Sequence, residues 1–210
     1  PFVNRAKEGG YGPGTEHKCY RIQGQTLGLL GYGRIGRDFA KMARGLGMKI
    51  CVYDPFIKEI NEPNTVLYED VENVFKNSDV LSIHMPLTSD THHMVNMDKI
   101  KLMKSTSIII NTSRGPIINT DDLLKALNSN LIAGAGIDVC EGEPLSKDHI
   151  AFSTRNLIIT PHVAMYSEES MINLHQQLVK QGLDVLGGKW TTNIVNPQVR
   201  ETREWSNAII

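Results

Sequence analysis

The chain has 210 residues, enough for one large domain or for one domain with part of a second. Its 22 Lys and Arg residues nearly balance its 23 Asp and Glu residues, which argues against nucleic acid as a direct partner and against an anionic membrane surface. The longest apolar runs are only a few residues, far short of the roughly 20 needed to cross a bilayer.

The three cysteines, Cys19, Cys51 and Cys140, are odd in number and share no metal-ligand spacing, and the N-terminus lacks a signal-peptide pattern. The simplest interpretation is a reduced, cytoplasmic environment. We predict no metal site, because no two ligands stand at metal-binding spacing along the chain. The pair His92-His93 is interpreted as a solvated loop pair.

The first 22 residues read poorly as regular structure, because helix and strand breakers crowd residues 9–14. We therefore predict a loop or linker over residues 1–22 and the main domain over residues 23–188. A closing segment, residues 189–210, follows the two glycines that are expected to end the last helix.

Residues 31–36 read Gly-Tyr-Gly-Arg-Ile-Gly and lie between an apolar run and an amphipathic one. A strand that leads through G-x-G-x-x-G into a helix is typical of a pyrophosphate-binding turn. Gly31 would permit the tight turn, Gly33 the close approach of the backbone to the phosphates, and Gly36 the packing of helix against strand. The positive end of the helix dipole would then face the ligand charge.

A second apolar run, residues 48–53, ends in Asp54, 18 residues beyond Gly36. A carboxylate there can accept hydrogen bonds from the adenosine ribose hydroxyls, which completes a βαβ dinucleotide unit. It would repel a 2′-phosphate, and residues 55–57 contain no Arg or Lys, so NAD is favoured over NADP. The alternative is a solvated Asp at a strand end, since Asp-Pro commonly opens a turn.

Beyond Asp54, strand and helix patterns alternate about every 25 residues, which predicts a Rossmann-type, doubly wound parallel α/β sheet. The predicted strands cover residues 79–84, 107–111, 131–139 and 156–160. Four helices are predicted beyond Asp54. The first is short and is marked by apolar residues between 66 and 75, and the second covers residues 97–103. The third covers residues 120–127 with Thr120 as its cap, and the fourth is long, covering residues 167–186 with Ser167 as its cap.

Ligands of such sheets gather at the carboxyl ends of the strands. An arginine, a glutamate and a histidine follow three of the predicted strands, and these are Arg114, Glu143 and His162. Two of them also have a purely structural interpretation: Arg114 could close a structural ion pair, and His162 could be packed after Pro161.

Four motifs, in this order, resemble those of the NAD-dependent D-isomer-specific 2-hydroxyacid dehydrogenases. They are residues 31–36, Thr-Ser-Arg-Gly at 112–115, Gly-Ile-Asp-Val-Cys-Glu-Gly-Glu-Pro at 136–144, and Thr-Pro-His at 160–162. The resemblance implies hydride transfer between NADH and C2 of a small 2-keto acid of the glyoxylate, hydroxypyruvate or phosphohydroxypyruvate type.

The resemblance also implies a role for each matching residue. Arg114 would clamp the substrate carboxylate and polarise its carbonyl. His162 would be the general acid in reduction and the base in oxidation, with Glu143 holding the ring and favouring its protonated form. The residues implied in cofactor binding are Gly31, Gly33, Arg34, Ile35, Gly36, Asp54, Met85, Pro86, Thr112, Arg114, Asp138 and His162.

Family members begin with a substrate domain of about 100 residues, and nothing before Gly10 could supply it. Residues 192–197 resemble the segment that returns to that domain. The resemblance therefore implies the cofactor domain of a longer enzyme, lacking most of its N-terminal substrate domain. We expect this piece to bind NAD(H), to turn over poorly by itself, and to form a homodimer.

Two other functions compete with the dehydrogenase interpretation. The C-terminal-binding proteins, which are transcriptional corepressors, share the scaffold and the Arg, Glu and His, and residues 164–168 look a little like their segment after the histidine. A Rossmann domain that only senses or stores the nucleotide would leave Arg114, Glu143 and His162 without a task. The sequence does not separate an enzyme from a corepressor.

Overall fold

A computed structural model describes residues 6–11 and 19–202 and shows a seven-stranded sheet in which every strand pair is parallel. The predicted Rossmann-type fold class is confirmed, and the strand order is β3-β2-β1-β4-β5-β6-β7. The strands are β1 (Thr26–Leu30), β2 (Lys49–Tyr53), β3 (Thr65–Leu67), β4 (Val80–Ile83), β5 (Ile108–Asn111), β6 (Gly134–Ile137) and β7 (Leu157–Ile159).

Helices connect most of these strands, as parallel pairing requires. From residue 19 onward, the α-helices are α1 (Arg34–Gly45), α2 (Val71–Asn77), α3 (Met97–Ile100), α4 (Thr120–Asn128) and α5 (Glu168–Leu186). Short 3₁₀ turns cover Gly115–Ile117, Ile150–Ser153 and Pro197–Thr202. Among the described residues, no helix is both long and apolar enough to span a membrane.

The sheet is buried on both faces. Successive side chains of a strand point to opposite faces, so neighbouring residues pack into different apolar clusters. Along β2, Ile50 and Val52 belong to one apolar cluster and Cys51 belongs to the other. Ala40 and Ala43 of α1 complete the first cluster. Residues of α2 and α4 complete the second, so helices cover opposite faces of the sheet.

Three local predictions are wrong, and each has a physical reason. Val66 and Leu67 do not begin a helix but pair with β2 as an edge strand, since β-branched and apolar residues suit that position too. The helix after Asn96 ends at Ile100 and not at Met103. The cap of α4 is Asn119, whose side chain accepts a hydrogen bond from the Asp122 N–H, and not Thr120, which already lies inside the helix.

The chain divides into two compact units, the first ending at His162 and the second beginning at Val163. In the second unit, α5 has the predicted cap: the Ser167 and Ser170 side chains accept from each other's backbone N–H groups in a capping box. The predicted boundaries at residues 22 and 188 stay predictions. Much of the predicted linker, residues 1–5 and 12–18, lies outside the described residues, as do residues 203–210.

Candidate functional site

The turn after β1 uses its three glycines differently. Gly31 has φ +96°, and a Cβ there would lie 2.8 Å from the His84 carbonyl carbon. A Cβ on Gly36 would lie 2.5 Å from the Gly31 carbonyl oxygen, so this glycine lets α1 approach the strand end. Beyond the adjacent backbone, no atom of the described residues lies within 4 Å of the Gly33 Cβ position, and the space beside it is open for a ligand.

The first turn of α1 has features that suit an anion. Gly33 is its N-cap and offers no side chain to the backbone N–H groups, and the turn contains no acidic residue. Ile35 is exposed in the same turn. A helix N-terminus of this kind, preceded by an open glycine, fits a pyrophosphate through its backbone N–H groups and its dipole.

Asp54 follows β2 and is tied to this turn. Its Oδ2 accepts from the Tyr32 N–H at 2.7 Å, and its Oδ1 accepts from the Phe56 N–H at 2.9 Å. The carboxylate lines a cavity of about 540 Å³ together with the side chains of Lys58, Glu59 and Glu69. Three carboxylates against one ammonium disfavour a 2′-phosphate in this cavity, which fits the predicted preference for NAD.

His84, Met85 and Pro86 follow β4. The His84 imidazole Nε2 lies 2.9 Å from the Ser82 hydroxyl, and its ring centroid lies 5.6 Å from that of Phe39. Burial lowers the pKa of His84, which favours the neutral ring. The ring therefore has partners inside the protein, while the Met85 carbonyl accepts a 2.5 Å hydrogen bond from the Ser113 hydroxyl of the next strand end.

The loop after β5 is shaped by Asn111, which is fully buried. Its Oδ1 accepts from the Ser113 N–H, and its Nδ2 donates to the Arg114 carbonyl, both at 3.0 Å. Thr112 and Arg114 are exposed on this loop. The Arg114 guanidinium donates to the Ser113 carbonyl at 2.7 Å and pairs with no carboxylate of the described residues, which leaves it able to meet an anionic ligand.

Gly115 brings the Arg114 loop against the loop after β6. A Cβ at Gly115 would lie 2.1 Å from the Cys140 carbonyl carbon and oxygen, a separation that atoms do not tolerate. The backbones of the two loops are therefore in direct contact. This contact fixes the position of the arginine loop relative to the segment that carries Glu143.

Glu143 joins that segment to His162. Its Oε2 accepts from the Cys140 N–H at 3.0 Å, and its Oε1 lies 2.8 Å from the His162 Nδ1. The Cys140 N–H and then the imidazole hold the pKa of Glu143 below its usual value, so the carboxyl is ionised at neutral pH. An ionised carboxylate only accepts hydrogen bonds, so Nδ1 carries the proton and Nε2 is left for another partner.

Asp138 and Thr160 hold the backbone under His162. The His162 N–H donates to the Asp138 carbonyl at 2.8 Å, and the Thr160 hydroxyl donates to the Asp138 Oδ1 at 2.5 Å. His162 has φ +56°, a conformation that is uncommon outside glycine although histidine adopts it more often than most residues. Its side chain is 52% exposed, so this backbone turn presents the ring to solvent.

A cavity of about 440 Å³ lies beside the histidine. Its walls are mostly apolar, and the Glu143 and His162 side chains form part of its polar lining together with Asp138 and Thr160. The remaining lining residues are Cys140, Pro144, Leu145, Phe152, Ile159 and Pro161. A cavity with apolar walls and a few converging polar groups is the usual form of a small-molecule site.

The structure brings Glu143 and His162 into contact and places the loop that carries Arg114 against the segment that carries Glu143. Glu143 touches His162 directly, and the Arg114 loop reaches them through the backbone contact of Gly115 with Cys140. No role was assigned to Asn111 or to Thr160 from the sequence, although both position their neighbours and Thr160 belongs to one of the four motifs. The sequence feature that could have indicated a role for Asn111 is its position as a polar residue at the end of an otherwise apolar strand.

The NAD binding domain of the D-isomer specific 2-hydroxyacid dehydrogenases matches residues 2–164 as a family model. A glyoxylate reductase of Thermococcus litoralis is 40% identical over 181 residues, which cover 86% of this chain and 54% of the relative. A hydroxypyruvate reductase of Blautia hydrogenotrophica is 37% identical, over 86% of this chain and 56% of the relative. The chain thus spans about half the length of these relatives.

The fold is also similar to solved structures. The NAD-complexed form of a D-isomer specific 2-hydroxyacid dehydrogenase from Lactobacillus delbrueckii ssp. bulgaricus superposes with a TM-score of 0.82 at 31% sequence identity. The match covers 93% of this chain and 63% of that one. The similarity therefore extends over nearly all of this chain and not only over the glycine-rich turn.

Proposed function

The chain belongs to the D-isomer specific 2-hydroxyacid dehydrogenase family through its NAD-binding domain, and from this membership we propose its function in detail. It carries the cofactor-binding and proton-transfer half of an enzyme that interconverts a small 2-keto acid and the D-2-hydroxy acid. The family's cofactor is NAD, and the open position beside Gly33 and the acidic cavity beside Asp54 fit it.

The residues proposed to hold the dinucleotide follow the strand ends across the sheet. The first turn of α1, with Arg34 and Ile35, receives the pyrophosphate, and Asp54 receives the adenosine ribose. The nicotinamide end lies near Asp138 and His162, with Met85, Pro86 and Thr112 along the groove. When bound, NADH supplies a hydride from its nicotinamide ring.

Arg114 is proposed to bind the substrate carboxylate. The guanidinium is exposed and has no carboxylate partner among the described residues, so its charge is available to an anion. A guanidinium fork suits a carboxylate because two parallel N–H groups can donate to its two oxygens. The same charge polarises the adjacent keto oxygen toward accepting a proton.

His162 is proposed to move the proton. With Nδ1–H donating to Glu143, the protonated ring carries its second proton on Nε2, and that proton passes to the keto oxygen during reduction. In the oxidation direction, neutral Nε2 accepts the hydroxyl proton. Glu143 stabilises the charged ring in either direction and keeps it oriented.

One observation carries this proposal: the 2.8 Å contact between Glu143 and His162, both of which line a cavity of about 440 Å³. A packed structural histidine would be buried, whereas this side chain is half-exposed beside the cavity. The relatives named glyoxylate reductase and hydroxypyruvate reductase support a small 2-keto acid of that type as the substrate.

The test is oxidation of NADH by a panel of 2-keto acids, followed by absorbance, with the 210-residue chain and with the complete natural protein. Because the relatives are nearly twice as long, we expect the 210-residue chain to bind NADH and to turn over slowly. In the complete protein, His162→Ala should lower turnover by roughly 10²–10⁴-fold, the range for a lost general acid. His175→Ala, on exposed α5, is the control, and an unchanged rate in the His162 variant would refute the assignment.

The corepressor interpretation gains no support from the comparisons, because the relatives named above are reductases. It is therefore not proposed. We retain a homodimer and a cytoplasmic location as proposals. Sedimentation at several concentrations tests the first, and fractionation of the source cells tests the second.

A further inference from the structure

Two histidines and a glutamate outside the proposed catalytic site lie together. His92 and His93 belong to the loop between β4 and α3, and Glu141 belongs to the loop after β6. One nitrogen from each histidine and one carboxylate oxygen all lie within 4.8 Å of one another. The spacing of ligands along the sequence did not indicate this cluster, because Glu141 lies 48 residues beyond His93.

The closest pair in the cluster is the His93 Nε2 and the Glu141 Oε1, at 2.7 Å. The centroids of the two imidazole rings are 3.9 Å apart and their planes are tilted by 31°. In a tetrahedral zinc site with bonds of about 2.1 Å, ligand atoms lie roughly 3.4 Å apart. The His93–Glu141 separation is shorter than that value, and the other two separations are no more than 4.8 Å, so small rotations of partly exposed side chains would place all three atoms on one ion.

The backbone that carries the histidines is held at several points. The His92 N–H donates to the Thr88 carbonyl at 3.0 Å, and the His93 N–H donates to the Pro116 carbonyl at 2.8 Å. The Asn96 side chain donates to the His93 carbonyl at 3.1 Å. A loop braced in this way loses little freedom when its side chains bind an ion, which favours binding.

We propose that His92, His93 and Glu141 form a binding site for a divalent transition-metal ion of the zinc class. Two imidazoles and one carboxylate suit Zn²⁺, Ni²⁺ or Cu²⁺, whereas Ca²⁺ and Mg²⁺ prefer oxygen ligands alone. The three side chains are exposed or half-exposed, so water completes the coordination. The ion joins the loop after β4 to the loop that carries Glu143, and its binding does not depend on the proposed redox reaction.

The His93 ring must change its proton arrangement to bind the ion. Its Nδ1 lies 3.5 Å from the Asn119 Nδ2, and the Asn119 Oδ1 is already used as the cap of α4. Nδ1 is therefore the acceptor in the metal-free protein, and Nε2–H donates to Glu141. The Asn119 contact is at the outer limit of hydrogen-bonding distance, so moving the proton to Nδ1 loses only a weak hydrogen bond.

The test is calorimetric titration of the untagged chain with ZnCl₂ in a buffer that does not chelate zinc. We expect one high-affinity Zn²⁺ per chain. His93→Ala and Glu141→Gln should each weaken binding by at least roughly 10–100-fold, the loss that even indirect ligand partners cause. His92→Ala should do the same, and circular dichroism establishes that each variant is folded.

Two control variants test whether zinc binds to other side chains of this chain. His175→Ala removes an exposed histidine of α5, and Cys19→Ser removes the exposed thiol, and both should bind zinc like the parent chain. The proposal is overturned if no zinc binds, or if the three cluster variants bind as tightly as the parent. It is also overturned if binding is lost in His162→Ala and kept in His93→Ala, since the ion would then lie at the His162–Glu143 pair.

Discussion

Replacement of Gly33 by alanine tests whether the turn after β1 holds a pyrophosphate. Gly33 has φ −72° and ψ −162°, which alanine also adopts, and beyond the adjacent backbone no atom of the described residues lies within 4 Å of the added Cβ. Neither the backbone conformation nor the packing of the protein therefore requires a glycine at this position. A bound phosphate would require one, because the Cβ would occupy the space through which it approaches the backbone.

The expected stability change is small because two effects oppose each other. Alanine is a poorer N-cap than glycine by about 0.5–1 kcal/mol, whereas the loss of glycine freedom in the unfolded chain stabilises the folded state by about 0.4–1 kcal/mol. The free energy of unfolding should therefore stay within about 1 kcal/mol of the parent value. A melting temperature within about 2–4 °C of the parent corresponds to that difference in a chain of this size.

The expected loss of cofactor affinity is much larger. A hydrogen bond from a backbone N–H to a charged group contributes about 1.5–3 kcal/mol, and loss of one such bond raises the dissociation constant roughly 10–100-fold. Fluorescence titration with NADH measures the change. Gly45→Ala is the matched control, since Gly45 lies at the other end of α1 and also has no atom within 4 Å of its Cβ position.

The control should bind NADH like the parent and gain about 0.5–1 kcal/mol in stability from the better helix propensity of alanine. If Gly33→Ala also binds NADH with parental affinity, the turn does not hold the pyrophosphate. A large drop in melting temperature for Gly33→Ala would contradict the open space described around this residue.

Three further predictions concern α1, α5 and the loop after β6. Gly36→Ala places a Cβ 2.5 Å from the Gly31 carbonyl oxygen and should lower the free energy of unfolding by about 1–3 kcal/mol in urea denaturation. Ser167→Ala removes half of the capping box and should cost about 1 kcal/mol, seen as weaker helical circular dichroism on heating if α5 melts first. The pKa of Glu143 lies below the ordinary 4.5, so its contacts with Cys140 and His162 stabilise the fold above about pH 4.5 and are lost as the pH falls through the lowered pKa. Thermal unfolding of Glu143→Gln should therefore show a flatter acid-side profile than the parent.

The sequence predicts the parts of the fold that depend on local chemistry. The glycine spacing at residues 31–36 has steric consequences that the structure reproduces: a left-handed turn at Gly31 and close helix packing at Gly36. The cap of α5 at Ser167 was predictable for the same reason, since a hydroxyl before two glutamates suits a helix start. These features need only a few neighbouring residues.

Features decided by distant partners were not predictable in the same way. The segment at Val66 becomes a strand because the edge of β2 is available to it, and no local pattern shows which edge is open. Asn111 looks like an ordinary polar residue after a strand, yet it is buried and holds both Ser113 and Arg114. Glu141 meets His93 only because the sheet places β4 and β6 on either side of β5.

The order of the strands explains why the candidate catalytic residues can be so far apart in sequence and still act together. β5, β6 and β7 are neighbours in the sheet, and Arg114, Glu143 and His162 follow these strands in that order. Strand pairing alone does not fix the conformations of the loops that follow the strands, however. Contacts at Gly115 and His162 fix them. Gly115 lets one loop backbone touch the next, while the left-handed turn at His162 is held by the Asp138 carbonyl. An uncommon backbone conformation kept at the residue that presents the imidazole is better explained by the position the ring must occupy than by stability, since a right-handed backbone there would be the less strained choice.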